Sequence, residues 1–466
     1  MANPRIGMME SATSRIESHH LQASLVTPLV AVAVYVVWLL VSNPGYFSHD
    51  ELQWGARATA SISLGEQRWV SWLNYSTFQY RPLTFNLWLL LGRALFLHPY
   101  WYHAVWALGG AGVAGLLYST LRAASVAPMT SAVAALAFWL NPYAVWVHAW
   151  VATLADFVWV VCGLLIARLL LARGAFWKHP APVVVMVAAL TVVALLAKEA
   201  GLAIPSLLLV AGISLKDVRW RWAFAASAAV GVAYLSLRYP ILADPARKAT
   251  SYGIDLGGIP LRFVGYQLFP LHLGHSWANS ILVAPAWRWT SYSAFIGTCW
   301  FGLLRTPRHA VIWLLMSVAC LGPSLLIGSM ASQYAYGLSA GLIMFVALVW
   351  SGTRVWGRIL AVGLMLVSSW HGVEVAYHIR NVGLLQAQFS PSMADALAQS
   401  GATPQAPLHL LPRCLSQRAV YNGFAAHIPS YHGVEIAGRV IVLSESRNNQ
   451  PIAAVECDGT VRLPSR

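Results

Sequence analysis

Apolar runs of roughly 18 residues or more recur from Leu25 to Tyr377. Each is long enough to cross the ~30 Å hydrocarbon core of a bilayer as a helix. That repetition restricts the chain to an all-α polytopic membrane protein. Only 10% of the 466 residues are charged, against about 25% in an ordinary soluble domain. No alternating period of two is sustained, which argues against a membrane β-barrel. The 22 tryptophans suit many membrane–water interfaces.

Apolar spans near 25–42, 103–121, 126–143, 153–171, 181–197, 201–215, 221–237, 290–304, 309–328, 335–350 and 358–376 predict about eleven transmembrane helices. Residues 1–24 are polar, lack a signal-peptide core and are read as a cytoplasmic segment. The connections then assigned to the cytoplasm contain Arg122; Arg168, Arg173 and Lys178; Lys216, Arg219 and Arg221; Arg305 and Arg308; Arg354 and Arg358. The short outer connections hold only Lys198. This bias sets the orientation and accounts for much of the net charge of +14, which carries no nucleic-acid motif with it. An odd number of spans leaves the C-terminus outside. The core, 25–376, thus has two large outer loops, 43–102 and 238–289. Their apolar stretches Pro82–Leu97 and Pro260–Leu273 are read as helices lying at the outer surface. Residues 377–466 are more polar and are read as a small, mostly-β periplasmic domain. Cys414 and Cys457 both fall there, where an oxidising compartment favours a disulfide. Cys162, Cys299 and Cys320 lie in apolar spans as buried fillers.

Carboxylates are scarce in the core, and Asp50-Glu51 is its only adjacent pair. The pair follows the first helix, in Tyr46-Phe47-Ser48-His49-Asp50-Glu51. Ser48 and Glu51 have the spacing of a helix-capping box, which leaves Asp50 as the acid without a structural duty. His49 beside it is a weak metal candidate; no His-rich spacing supports a metal, His272 and His275 included. Basic residues on the outer side run against the topological bias. Arg57, Arg68, Arg81, Arg93, Lys198, Arg238, Arg247, Lys248, Arg262 and Arg288 would suit a phosphate, because guanidinium forks bind its oxygens bidentately. Lipid headgroups are the competing explanation.

Four segments in order resemble the GT-C superfamily of membrane glycosyltransferases, nearest to the protein O-mannosyltransferase group and the tetratricopeptide-repeat transmembrane mannosyltransferases. They are His49-Asp50-Glu51; Tyr80-Arg81-Pro82-Leu83 followed by Tyr100-Trp101-Tyr102-His103; Asn141-Pro142 followed by Thr153-Leu154-Ala155-Asp156; and Ala197-Lys198-Glu199-Ala200 followed by Pro205. The resemblance implies an inverting enzyme using a polyprenyl-phosphate-linked sugar. It implies Asp50 as general base with Glu51 as neighbour, and Arg81 and Lys198 at the lipid phosphate; Arg57, Arg238 and Arg262 are further donor-site candidates, and Asp156 a second acid for orienting acceptor or base. The family's late outer motif has an arginine where this chain has Gln333, in Ser332-Gln333-Tyr334-Ala335-Tyr336. A divalent metal is possible but not required.

The sequence therefore reads as a multi-pass glycosyltransferase of a bacterial inner membrane, with a GT-C-like core and a small outer domain. Its expected partners are the bilayer, a polyprenyl-phosphate-linked sugar and a cell-envelope acceptor (glycan, lipid or protein), with no nucleic acid. An oligosaccharide ligase or polymerase is the competing enzyme. A transporter or flippase of a lipid-linked sugar should show inverted repeats and mid-membrane acids, and the acids here gather at one face.

Overall fold

The structure is a computed structural model that describes residues 26–63, 69–77, 79–172, 180–242, 253–267, 307–328, 330–426, 428–443 and 452–463. The expected span 290–304, the N-terminal segment, Arg68, Arg247, Lys248, Arg288, His272, His275 and Cys299 lie outside them. Every other expected span has a helix at its place. These are α1 (Val26–Val41), α4 (Pro99–Ala123), α5 (Pro128–Trp139) with α6 (Pro142–Ala149), α7 (Leu154–Leu171), α8 (Pro180–Ala197), α9 (Ala203–Leu215), α10 (Val218–Leu242), α12 (Pro307–Leu321), α13 (Tyr336–Val349) and α14 (Val355–Ser400). Six helical stretches among the described residues are long and apolar enough to cross a membrane, and a seventh if α5 and α6 count as one. The helices of α1, α8 and α9 are apolar but shorter.

Two expectations change. The span at 126–143 is broken, with α5 and α6 meeting at 60°. Asn141 caps the second helix through its side chain, which accepts from the Tyr143 N–H at 3.0 Å, and Pro142 opens the helix. A proline at the first helical position has no N–H to lose, so the chain restarts there instead of continuing. In the two large loops, α2 (His49–Ser63) and α3 (Pro82–Leu95) of the first pack together, and α11 (Ile259–Gln267) occupies part of the second. The 14 residues of α3 reach about 21 Å.

The larger change is α14. It does not stop near residue 376 but runs 46 residues to Ser400, about 69 Å at 1.5 Å per residue, more than twice the bilayer core. Gly401 ends it in the left-handed conformation at φ 64°, where glycine costs least. Ile379, Val382, Phe389, Met393 and Leu397 are buried along the extension, a helical spacing.

The C-terminal domain is docked on that extension. It is built mainly of short strands, as expected, with one α-helix among them. A four-stranded sheet has the order β4 (Val440–Val442), β1 (Leu408–Pro412), β5 (Ile452–Val455), β6 (Val461–Arg462), and β1 runs parallel to both neighbours. Parallel neighbours need a crossover, which α15 (Arg418–Ala426) supplies between β1 and β4. Phe389 of α14 meets Tyr421 and Phe424 of α15 with ring centroids 4.8 and 6.4 Å apart. A hairpin of β2 (Ser430–Tyr431) and β3 (Val434–Glu435) reaches α2.

Cys414 and Cys457, 43 positions apart in sequence, form a disulfide with Cα atoms 5.3 Å apart. Closing a loop of that length restricts the unfolded chain by about 4 kcal/mol in the loop-entropy model. Cys414→Ser is therefore expected to lower the domain's unfolding free energy by about that amount, read by pulse proteolysis of the tail. Equal protease resistance of reduced and oxidised protein would contradict it.

Candidate active site

The loop before α2 is fixed from several sides. Gly45 lies against Gly383 of α14 so closely that an added Cβ would stand 2.2 Å from the Gly383 carbonyl oxygen. The Gln386 side chain accepts from the Tyr46 N–H at 2.8 Å. His103 bonds the Gly45 carbonyl at 2.8 Å. Phe47 sits edge-on among Trp146, Trp150 and His378.

Within this frame the two adjacent acids part company. Glu51 is buried, and its carboxylate accepts from the N–H groups of Phe47 at 2.6 Å and Ser48 at 2.8 Å through Oε2, and of Val151 at 3.0 Å through Oε1. Only half of the capping box forms: Glu51 reaches back to Ser48, while the Ser48 hydroxyl accepts instead from the Trp150 indole at 2.8 Å. Asp50 is half-exposed, with one oxygen 3.4 Å from His49 Nε2. It faces a narrow crevice lined by Trp54, Trp88, Tyr102 and Val151. Glu51 thus holds the loop, and Asp50 is the acid left half-exposed beside the crevice.

Burial, the largest influence, pushes the Glu51 carboxyl up to about 8, against three backbone donors and with a further rise from Asp50. Its ordinary value is about 4.3. The folded state therefore binds the extra proton between those values, and this group's contribution to stability falls as pH rises through about 4.3 to 8 and is level above. Glu51→Gln cannot titrate. Thermal unfolding in detergent from about pH 5 to about pH 9 should lose part of its downward slope in that variant; an unchanged slope would reassign it to another group.

The Val151 N–H that meets Glu51 opens the short turn Val151–Thr153, and α7 follows with Asp156 in its first turn. Asp156 is buried and accepts from Lys198 Nζ through both oxygens, at 2.6 and 2.7 Å. The ammonium also lies 4.8 Å from the centre of the Tyr334 ring. Beside it, Arg81 donates through Nε and Nη2 to Glu199 at 3.0 and 2.9 Å. Burial works against the Arg81 charge, but Glu199, Tyr334 and Asp156 outweigh it and hold Arg81 above its ordinary range. The helix α3 ties these parts together: Thr84 donates to the Ala197 carbonyl at 2.8 Å, Trp88 to the Val151 carbonyl at 3.2 Å, and Phe85 stacks on Trp54 at 4.6 Å.

The structure thus gathers Arg81, Lys198 and Asp156, one element away from Asp50 and Glu51. It gives other work to three candidates. Arg57 lies exposed 5.0 Å over the Trp54 ring. Arg238 is buried and donates to the carbonyls of Tyr75 and Thr77, the latter at 2.7 Å, holding that segment of the first large loop. Arg262 donates to the Leu325 carbonyl at 3.0 Å and pairs with Asp255 at 2.7 Å. Among the described residues no group of three or more His, Cys, Asp or Glu side chains could hold a metal. The sequence reading missed Glu199 as the partner of Arg81 and Tyr334 as a face for Lys198, although both lie in stretches it singled out.

The chain matches no protein-family model and no curated protein. A solved structure, the crystal structure of ArnT from Cupriavidus metallidurans in the apo state, is similar over 93% of each chain, at 16% identity and a TM-score of 0.49.

Proposed function

We propose that the protein is an inverting membrane glycosyltransferase that takes a sugar from a polyprenyl-phosphate donor and transfers it to a cell-envelope acceptor at the outer membrane face. The observation that carries this reading is the division of labour at Asp50-Glu51: one acid taken up by three backbone N–H groups, the other half-exposed over a crevice. In the proposed step the acceptor hydroxyl oxygen attacks the anomeric carbon while the bond from that carbon to the phosphate oxygen breaks. The phosphate leaves with the electron pair, and the hydroxyl proton passes to the Asp50 carboxylate. Arg81 and Lys198 supply two cations for the leaving phosphate. To meet it they would exchange part of their bonding to Glu199 and Asp156, and those acids keep the cations oriented meanwhile. The order of the four motifs, similar to that of GT-C enzymes, supports the same reading.

The direct test is release of polyprenyl phosphate from a synthetic lipid-phosphate sugar by purified protein, together with lipid analysis of a deletion strain. Accumulation of a single-sugar lipid phosphate in the strain supports the reading. Accumulation of lipid-linked oligosaccharide would replace it with a ligase.

A further inference from the structure

A second cavity, of about 750 Å³, lies away from Asp50 among α4, α7, α9, α12 and α13. Trp159, Ile204 and Gly337 line one end, and the walls along its length are apolar. Small residues, including Gly163, Ala167 and Ala211, leave the space. Polar lining collects at the other end, where Ser125, Asp217, Arg219, Arg308 and His309 meet. There Arg219 is forked onto Asp217 at 2.6–3.1 Å, and Arg308 is exposed and donates to the Ser214 carbonyl at 2.8 Å. Two guanidiniums stand against one carboxylate here, so this end carries net positive charge.

An apolar space of this size neither stands empty without a large loss of packing nor offers water the polar partners it needs. Within a bilayer it takes hydrocarbon. The charge at the mouth selects the kind: basic pockets between helices on the cytoplasmic side suit anionic lipid headgroups. We propose that this cavity is a binding site for an anionic phospholipid of the cytoplasmic leaflet, with an acyl chain inside and the phosphate at Arg219 and Arg308. The proposal rests on the orientation given by the charge bias and is independent of the transfer chemistry. The chain of a lipid-phosphate donor is a poorer fit, because neither Arg81 nor Lys198 lines the space.

The full-length protein, purified in mild detergent, is examined by native mass spectrometry and then melted in vesicles of neutral phosphatidylcholine with or without phosphatidylglycerol. One retained phospholipid and a higher melting temperature in the anionic vesicles are expected. Arg219→Gln with Arg308→Gln should weaken phosphatidylglycerol binding by about tenfold or more, the loss of a charge-assisted contact. Gly163→Leu should exclude the chain: a Cβ there meets nothing closer than Ile204 Cγ1 at 3.9 Å, so the leucine extends into open space and the helix gains a better helix former. Full lipid retention in Gly163→Leu, equal melting of wild type in both vesicles, or a polyisoprenoid phosphate as the retained molecule would each overturn the proposal.

Discussion

Asp50→Asn protein is expected to insert, fold and bind donor as the wild type does while transferring sugar about 10²–10⁴ times more slowly. Asparagine keeps the size and hydrogen-bonding shape of the side chain and removes the proton acceptor. A neutral hydroxyl is a poor nucleophile, and a carboxylate that takes its proton in the transition state is worth about 3–5 kcal/mol. No fold duty competes with this role, because the loop is held by Glu51, Gln386 and His103. Glu51→Gln should show the opposite profile, with a lower melting temperature and, in protein that stays folded, transfer reduced far less. Wild-type turnover by purified Asp50→Asn would falsify the base assignment.

Breaking the Lys198–Asp156 pair is expected to cost nearly as much by a different route. Both side chains are buried, and a buried ion that loses its partner costs about 3–5 kcal/mol. Asp156→Ala and Lys198→Met should each melt well below wild type in detergent, by fluorescence-detected size exclusion. The double variant Asp156→Leu with Lys198→Met removes both charges and should recover much of the stability. It should not recover transfer, because the ammonium proposed to meet the phosphate is gone. Recovery of both would make the pair purely structural; wild-type stability of Lys198→Met alone would show that the pair is solvated.

What could be read beforehand follows from what sequence encodes locally. The spans were legible because a bilayer demands long apolar runs, and Asp50 because two adjacent acids at a membrane edge are costly unless used. Arg81, Lys198 and Asp156 were legible as charges whose positions needed a reason. The duties of Arg238 and Arg262 were not: both guanidiniums meet backbone carbonyls far away in sequence, and every residue has a carbonyl. The kink at Asn141-Pro142 was visible in principle, since that pair is a helix start, but continuous hydropathy on both sides hid it. The helical extension of α14 was missed because its buried stripe is thin, interrupted by Ser390 and Pro391, and surrounded by polar residues. Strands of two to five residues are too short for an alternation to declare a parallel sheet.

One continuous helix joins the membrane core to the C-terminal domain, and along its course it braces the loop carrying Asp50. An α-helix turns about 100° with each residue. The bearing of the hairpin toward α2 is therefore indexed by the residue count between Gln386 and Gly401. One residue added there would swing the whole domain about a quarter-turn away from α2, while four would return it close to its original azimuth about 6 Å farther out. Length change in this segment is thus counted in turns, and the register between the Asp50 loop and the C-terminal domain is inherited as an angle.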